Sequence, residues 1–238
     1  MAEELTKPLT EANIRAATAF YERLDYWKRK NAVLDSLKQR DSELFDPYIT
    51  LLKVAAINQF YYTNLWAIDR MVDRIVSLHI MSGLYNPAAK EQHAALVENI
   101  ALLEDAEAED PRQVSDAADE SEVTEDPDQT SSSKQKKQNR QRMHISFASK
   151  FAHFFISKED FPIFDSYAEN TLAFHLHWQK RVREKDHLYI SYYENVERLL
   201  KWAPLSCSFE ELDRYLWLTG LYKAWRKQQA DNNQKTGK

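Results

Sequence analysis

The sequence predicts an all-α protein, and its composition and periodicity lead to that prediction. Only three of the 238 residues are glycine, whereas 43% are hydrophobic and 12% are aromatic. So few glycines exclude folds that depend on glycine-rich phosphate loops or on many tight hairpins. Apolar residues recur at intervals of three and four, which is the period of an amphipathic helix. A chain of this length can bury a substantial core without metal or disulfide staples.

Three runs with this helical period lie in the first part of the chain, 1–103. They begin at Ala16, Leu51 and Ile68. A turn at Gly83 follows the third run, since glycine is typical of the residue just after a helix. We therefore predict an N-terminal helical part made of amphipathic helices with wide apolar faces.

A second helical part is predicted over 142–230. It opens with four phenylalanines at helical spacing: Phe147, Phe151, Phe154 and Phe155. Pro162 interrupts this stripe, and the helical pattern restarts at Asp165. The capping box Ser208-Phe-Glu-Glu211 opens a further helix. The last residues, 231–238, are predicted to form a disordered tail.

The segment between these parts, 104–141, has a different composition. It contains no aromatic residue, and its only β-branched aliphatic residues are Val114 and Val123. Such a segment cannot bury enough apolar area to offset the entropy lost on ordering. We predict a disordered insertion between two lobes of an orthogonal helical bundle. Its role stays open between a solvated linker and an acidic arm that binds a partner or mimics nucleic acid.

Charge is segregated along the chain. Twelve acids and one base lie in 104–128, whereas five bases and no acid lie in 134–142. The remainder is close to neutral, so the net charge of −5 does not exclude a nucleic-acid partner. Two basic tracts are candidate contacts to a DNA backbone, although solvated flanks explain them equally well. Their residues are Lys134, Lys136, Lys137, Arg140, Arg142, Lys180, Arg181 and Arg183.

The cellular compartment of the protein and its need for cofactors are predicted from features that the sequence does not contain. Cys207 is the only cysteine, which excludes an internal disulfide and a cysteine-rich zinc site. The first residues have no apolar signal segment, and no stretch approaches eighteen apolar residues. His175 and His177 are two residues apart and point in different directions on a helix. We expect a cytoplasmic protein with no membrane segment, no metal site and no cofactor.

The residues with the most informative chemistry are Lys150 and Asp165. Lys150 lies early in the phenylalanine-rich helix, and Asp165 directly follows the sequence Phe-Pro-Ile-Phe at the start of the next helix. A carboxylate at a helix N-terminus is stabilised by the backbone N–H groups and by the helix dipole. An ordinary N-cap role for Asp165 therefore stays open beside a catalytic one.

The order of these residues resembles the helix–hairpin–helix DNA glycosylases. In that family too, a lysine in an apolar helix is followed by a proline-containing segment and an aspartate that precedes a further helix. The stretch 51–75 resembles an early helix of the family, which ends in a polar turn. The stretch 209–220 is similar to a segment of uncharacterised bacterial proteins that share the Lys150 and Asp165 pieces.

This resemblance implies a DNA N-glycosylase that acts on damaged or modified bases in duplex DNA. It implies that Asp165 is the catalytic aspartate and that Lys150 is the lysine which, in bifunctional members, attacks the sugar C1′ and forms a Schiff base. The residues expected beside an extruded base are Asn58, Gln59, Tyr61 and Tyr62. Packing or helix capping remains the alternative role for these four residues.

Two other functions stay open, so enzymatic activity itself is undecided at this stage. One is a non-catalytic helical interaction protein, for example in a mobile-element or phage-defence setting. The other is a ribonuclease of the HEPN type, because Arg74 and His79 match the arginine–histidine spacing of that family. That pattern would have to be exposed, whereas Ile75, Val76 and Leu78 are expected to face the core.

Overall fold

The computed structural model describes residues 9–40, 46–82, 89–103, 142–176, 188–202 and 207–236. Within these ranges the protein is almost entirely helical, as predicted. The helices are α1 (Glu11–Tyr21), α2 (Asp25–Arg40), α3 (Pro47–Tyr61), α4 (Ile68–Ser82), α5 (Lys90–Ala101), α6 (Ile145–Phe151), α7 (Ser166–Leu176), α8 (Leu188–Trp202) and α9 (Phe209–Thr236). A π-helical segment, Ala152–Ile156, continues α6. No helix in the described ranges is long and apolar enough to cross a membrane.

Two short antiparallel strands flank the segment 104–141. β1 is Leu102–Leu103 and β2 is Arg142–Met143. Leu102 pairs with Met143 across the ladder. The chain therefore leaves and re-enters the helical body at one place. The segment 104–141 itself, predicted as a disordered insertion, lies outside the described residues.

One hydrophobic cluster joins the helices on both sides of that segment. The N-terminal helix α1 packs along α9, which also packs along α7. Helix α5 contacts both α6 and α8. The N-terminal and C-terminal parts, 1–103 and 142–230, therefore share a common core.

The phenylalanine-rich helix lies in the middle of this core. All four phenylalanines of the predicted stripe are buried, at 5% exposure or less. Buried with them on α6 is Lys150, at 4% exposure. A π-helical segment inside a helix often marks a functional region, because it shifts the side chains that follow by one position.

Helix α9 approaches the start of α7 closely at Gly220. A Cβ atom at this position would lie 2.3 Å from the backbone oxygen of Tyr167. Only glycine permits this distance. Asp213 and Trp217 lie about two turns and one turn before Gly220, so the contact also places their side of α9 beside the start of α7.

Both ends of α9 can be compared with the prediction. The capping box is confirmed: the Glu211 amide donates to Ser208 Oγ at 3.2 Å, and the Ser208 amide donates to Glu211 Oε2 at 2.9 Å. At the other end, the helix continues through 231–236, where a disordered tail was predicted. Residues 231–233 are exposed, and the sequence of this last stretch, Asp-Asn-Asn-Gln-Lys-Thr, contains mostly weak helix formers, so the helix here is an extension of one already nucleated by packing.

Candidate functional site

Lys150 and Asp165 line the same cleft, which has a volume of about 580 Å³. Most of its walls are aromatic or aliphatic, and its polar groups are few. We call it the aromatic cleft. Its lining residues are Trp27, Phe60, Tyr61, Tyr62, Ser146, Lys150, Phe164, Asp165, Ser166, Tyr167, Trp217 and Leu221.

A smaller cavity of about 50 Å³ adjoins the cleft and shares five of its lining residues, including Lys150 and Asp165. We call it the side pocket. It has room for a few atoms only. The residues that line it but not the cleft are Tyr21, Asn31, His153, Phe154, Ile163, Glu210, Asp213 and Arg214.

The Lys150 amine is held by three oxygen atoms. It lies 2.8 Å from Ser146 Oγ, 3.1 Å from the Ser146 carbonyl and 3.3 Å from the Phe164 carbonyl. Burial lowers the pKa of Lys150, and the nearby Asp165 and Asp213 act in the opposite direction. A neutral amine would also be satisfied here, since it donates to the two carbonyls and accepts from the Ser146 hydroxyl.

Asp165 is an N-cap, which is one of the two roles that the sequence left open. Its Oδ1 accepts hydrogen bonds from the amides of Tyr167 and Ala168, both at 2.8 Å. These bonds fix the carboxylate at the positive end of α7. The cap uses Oδ1, and Asp165 also lines the cleft. Capping and a role in the cleft are therefore compatible.

The segment 161–164, just before Asp165, is fixed by buried side chains. Each of the four successive backbone carbonyls in this segment contacts a different buried side chain. The pairs are His153 Nδ1 with Phe161 at 2.8 Å, the Tyr189 hydroxyl with Pro162 at 2.8 Å, the Tyr192 hydroxyl with Ile163 at 2.8 Å, and Lys150 Nζ with Phe164 at 3.3 Å. Burial lowers the pKa of His153 to about 4, so the neutral imidazole donates through Nδ1–H.

More distant groups hold those donors in place. Glu98 on α5 caps α8, because its Oε1 accepts from the amides of Tyr189 at 2.9 Å and Ile190 at 3.1 Å. Ser149 Oγ accepts from the Phe164 amide at 3.0 Å. The position of Asp165 is thus determined by α5, α6, α8 and the π-helical segment together.

Asp213 on α9 is a site residue that the sequence analysis missed. Its Oδ1 is buried and has no hydrogen-bond partner among the described residues. Burial raises the pKa of Asp213 well above the usual aspartate value, and the negative charge of Asp165 raises it further. Lys150 and a hydrogen bond from the Ile163 amide act in the opposite direction. The only signal in the sequence was its i, i+4 spacing from Trp217, which is common in any helix.

The aromatic wall of the cleft is built on Trp27. Its ring centre lies 5.0 Å from that of Trp217 in an edge-on arrangement and 5.7 Å from that of Tyr61. Lys30 supports this wall, since its Nζ lies 4.3 Å from the Trp27 ring centre and donates to the Phe60 carbonyl at 2.6 Å. Such cation–π contacts restrain a ring that would otherwise be mobile.

Two of the four residues expected beside an extruded base line the cleft, namely Tyr61 and Tyr62. Asn58 instead closes the turn between α3 and α4: its Oδ1 accepts from the Leu65 amide and its Nδ2 donates to the Leu65 carbonyl. Gln59 is exposed. Sequence spacing could not separate these roles, because consecutive residues at a helix end point in different directions.

The predicted DNA-backbone residues cannot be placed against the cleft. Seven of the eight lie outside the described residues: Lys134, Lys136, Lys137, Arg140, Lys180, Arg181 and Arg183. Only the backbone of Arg142 is described, in β2.

The arginine–histidine pattern on α4 is partly exposed, since Arg74 and His79 both have intermediate exposure. Arg74 Nε donates to the Asn99 carbonyl on α5 at 2.9 Å. Ile75 is fully buried, and Leu78 is 8% exposed. Ile75 and Leu78 therefore face the core, as expected, while the arginine and the histidine themselves remain partly exposed.

A comparison with protein-family models matches part of the chain. A family model described as HI_0787_N, N-terminal domain, matches residues 13–115. The matched stretch supplies Trp27 and Tyr61 to the aromatic wall, whereas Lys150 and Asp165 lie after it. No curated protein and no solved structure matches the chain.

Proposed function

We propose that the protein binds duplex DNA and removes a damaged or modified base in the aromatic cleft, as a DNA N-glycosylase. The observation that carries the proposal is the placement of Lys150 and Asp165 on one cleft with aromatic walls. A buried amine and a fixed carboxylate at a shared surface are the two groups that such a reaction needs.

The cleft suits a planar ligand of nucleobase size. Its volume of about 580 Å³ lies in the usual range of small-molecule sites. Trp27 and Trp217 offer ring faces on which a base can stack. A base reaches such a site only after it leaves the duplex, so unpaired or damaged bases enter at the lowest cost.

The two polar residues have distinct roles in this proposal. The Asp165 carboxylate stabilises the positive charge that develops on the sugar as the bond to the base breaks. Lys150, whose pKa is lowered by burial, supplies an amine that attacks C1′. The bond between C1′ and the base breaks as the amine attacks, and the base leaves with one of the amine protons. The C1′–O4′ bond then breaks, O4′ takes up the second amine proton, and the lysine nitrogen and C1′ form a Schiff base.

The first test is binding of a short duplex that contains an abasic-site analogue, compared with the undamaged duplex, by fluorescence anisotropy at two salt concentrations. We expect salt-sensitive binding that prefers the abasic duplex and is weakened by Lys150→Ala. The matched control is Lys158→Ala, because Lys158 forms an ion pair with Asp35 at 2.7 Å and lines neither cavity.

A second test addresses the chemistry. Borohydride reduction during reaction with a panel of damaged duplexes should trap a covalent protein–DNA complex in the wild type and in Lys158→Ala, but not in Lys150→Ala. If neither duplex is bound at low salt, the proposal is wrong, and a helical interaction protein is the remaining candidate. Binding and base release without a trapped complex would keep the glycosylase and reject Lys150 as its nucleophile.

A further inference from the structure

We propose that Asp213 selects the base: its carboxyl group donates a hydrogen bond to a carbonyl oxygen on the edge of the base that stacks beside Trp217. The inference rests on the proposed function and adds the chemical class of its substrate. It predicts bases that carry an exocyclic oxygen, such as uracil, hypoxanthine and 8-oxoguanine.

The first evidence is the unsatisfied state of Asp213. Its Oδ1 is buried and has no hydrogen-bond partner among the described residues. Buried carboxyl oxygens in folded proteins are nearly always hydrogen-bonded, because an unmade bond leaves the cost of desolvation uncompensated. Asp213 lines the side pocket, so a ligand there can complete its bonding.

The second evidence is that neighbouring polar groups of the side pocket are already engaged. Arg214 forms ion pairs with Glu22 at 3.0 Å and with Glu210 at 2.8 Å. Asn31 donates to the Tyr21 hydroxyl at 3.0 Å and accepts from the Tyr61 hydroxyl at 3.3 Å. These groups would have to break existing bonds to contact a ligand, whereas Oδ1 of Asp213 has no bond to break among the described residues.

The third evidence concerns the direction of the hydrogen bond. The ionisable groups that face Asp213 in the side pocket are Lys150, His153, Asp165, Glu210 and Arg214, with the phenols of Tyr21 and Tyr61. Burial and Asp165 are the largest influences, and both favour the protonated acid. A protonated carboxyl group that already accepts from the Ile163 amide is a donor towards a ligand, and its complement is a carbonyl oxygen.

Geometry allows the contact with a small adjustment. Asp213 and Trp217 are one turn apart on the same side of α9, so a ring stacked on the tryptophan brings its edge to the carboxyl group. Oδ1 is covered in this structure. The contact therefore requires rotation about Cβ–Cγ, which is a soft torsion in aspartate.

The test compares Asp213→Leu and Asp213→Asn with the wild type. Leucine is close in size and cannot hydrogen-bond, whereas asparagine keeps a donor without a titrating proton. Affinity is measured for duplexes with one uracil, hypoxanthine or 8-oxoguanine, for a 2-aminopurine duplex that lacks the exocyclic oxygen, and for the abasic analogue. Thermal unfolding confirms that each variant is folded.

We expect the wild type to prefer at least one of the carbonyl-bearing bases over 2-aminopurine. Asp213→Leu should lose about tenfold in affinity for that base, which is the usual effect of one buried hydrogen bond, and should bind the abasic duplex within about twofold of the wild type. Asp213→Asn should retain the preference.

Each alternative outcome has a definite meaning. A leucine variant with the wild-type preference overturns the inference, and so does an asparagine variant as weak as the leucine one. The abasic duplex separates this failure from failure of the proposed function, because it contains no base for Asp213 to contact. If the wild type binds none of the duplexes, the proposed function and this inference fall together.

Discussion

The carbonyl of Phe164 lies 3.3 Å from Lys150 Nζ, and the next residue in the chain is Asp165. The lysine thus contacts the peptide that carries the aspartate, and a shift of either group moves the other. The Ser149 hydroxyl holds the same residue from its other side, by accepting from the Phe164 amide. Lys150 and Asp165 are therefore positioned as one unit.

The first prediction concerns the tyrosines that bind the segment before Asp165. Tyr192→Phe removes the donor to the Ile163 carbonyl and leaves that carbonyl unpaired in the core. We expect a loss of about 1–3 kcal/mol in the free energy of unfolding, measured in urea. Base release should fall by about tenfold, because the segment that positions Asp165 loses one of its supports.

The control for this prediction is Tyr48→Phe, since Tyr48 is 79% exposed. It should change stability by less than about 0.5 kcal/mol and leave base release unchanged. Full activity in a destabilised Tyr192→Phe would show that the segment is held without this hydroxyl.

The second prediction separates the cap role of Asp165 from the catalytic role that we propose for it. Asp46 caps α3 in the same way, with its Oδ1 accepting from the amides of Tyr48 and Ile49. Asparagine caps a helix about as well as aspartate, so Asp165→Asn and Asp46→Asn should each cost less than about 1 kcal/mol in unfolding.

Only Asp165→Asn should reduce base release, by about 100-fold, since it removes the charge that faces the sugar. Single-turnover rates measured beside urea unfolding give both quantities. An Asp165→Asn enzyme as active as Asp46→Asn would leave Asp165 with the cap role alone.

Local patterns in the sequence were sufficient for much of the fold. The all-helical class, the capping box at Ser208 and the cap alternative at Asp165 depend on residues a few positions apart and agree with the structure, whereas the helical continuation over 231–236 was not predicted. The placement of Lys150 on the same cleft as Asp165 also involves nearby residues, since Lys150 contacts the segment that directly precedes the aspartate.

Contacts between distant residues were beyond the reach of such patterns. The spacing of Asp213 in the sequence is that of an ordinary surface acid. Its burial becomes apparent only in the structure, where Gly220 allows α9 to pack against α7. Glu98 caps a helix that begins about ninety residues later. Asn58 has a side chain that could bind a base, yet its amide group forms hydrogen bonds to the backbone of Leu65 in the turn after α3.

The third prediction tests the approach of α9 to α7. Alanine at position 220 would favour the helix by about 1 kcal/mol, but its Cβ would lie 2.3 Å from the Tyr167 backbone oxygen. The helices must separate, so we expect Gly220→Ala to lose about 1–3 kcal/mol of stability and most of its base release, as Asp213 and Trp217 move.

Gln228→Ala, at an exposed position of the same helix, is the control and should be neutral in both measurements. A Gly220→Ala protein that is more stable than the wild type would show that α9 can shift without cost.

The fourth prediction concerns His153 and the pH dependence of stability. The pKa of the folded protein's His153 is lowered to about 4 by burial, whereas the unfolded chain titrates near the ordinary value of 6.5. Between these values the unfolded chain binds a proton that the folded protein does not, so this histidine lowers stability as the pH falls from about 6.5 to 4. The full effect is about 3 kcal/mol.

His153→Asn keeps a donor for the Phe161 carbonyl and removes the titration. Its free energy of unfolding relative to the wild type should therefore improve by about 3 kcal/mol between pH 7 and pH 4, measured by urea titration at several pH values. The variant must be compared with the wild type because a second group changes stability over the same pH range. The raised pKa of Asp213 makes stability decrease as the pH rises above about 4, which is opposite to the effect of His153. Asp213 is present in both proteins, so its effect cancels in the difference. A difference that stays constant over this range would mean that His153 remains accessible to protons in the folded state.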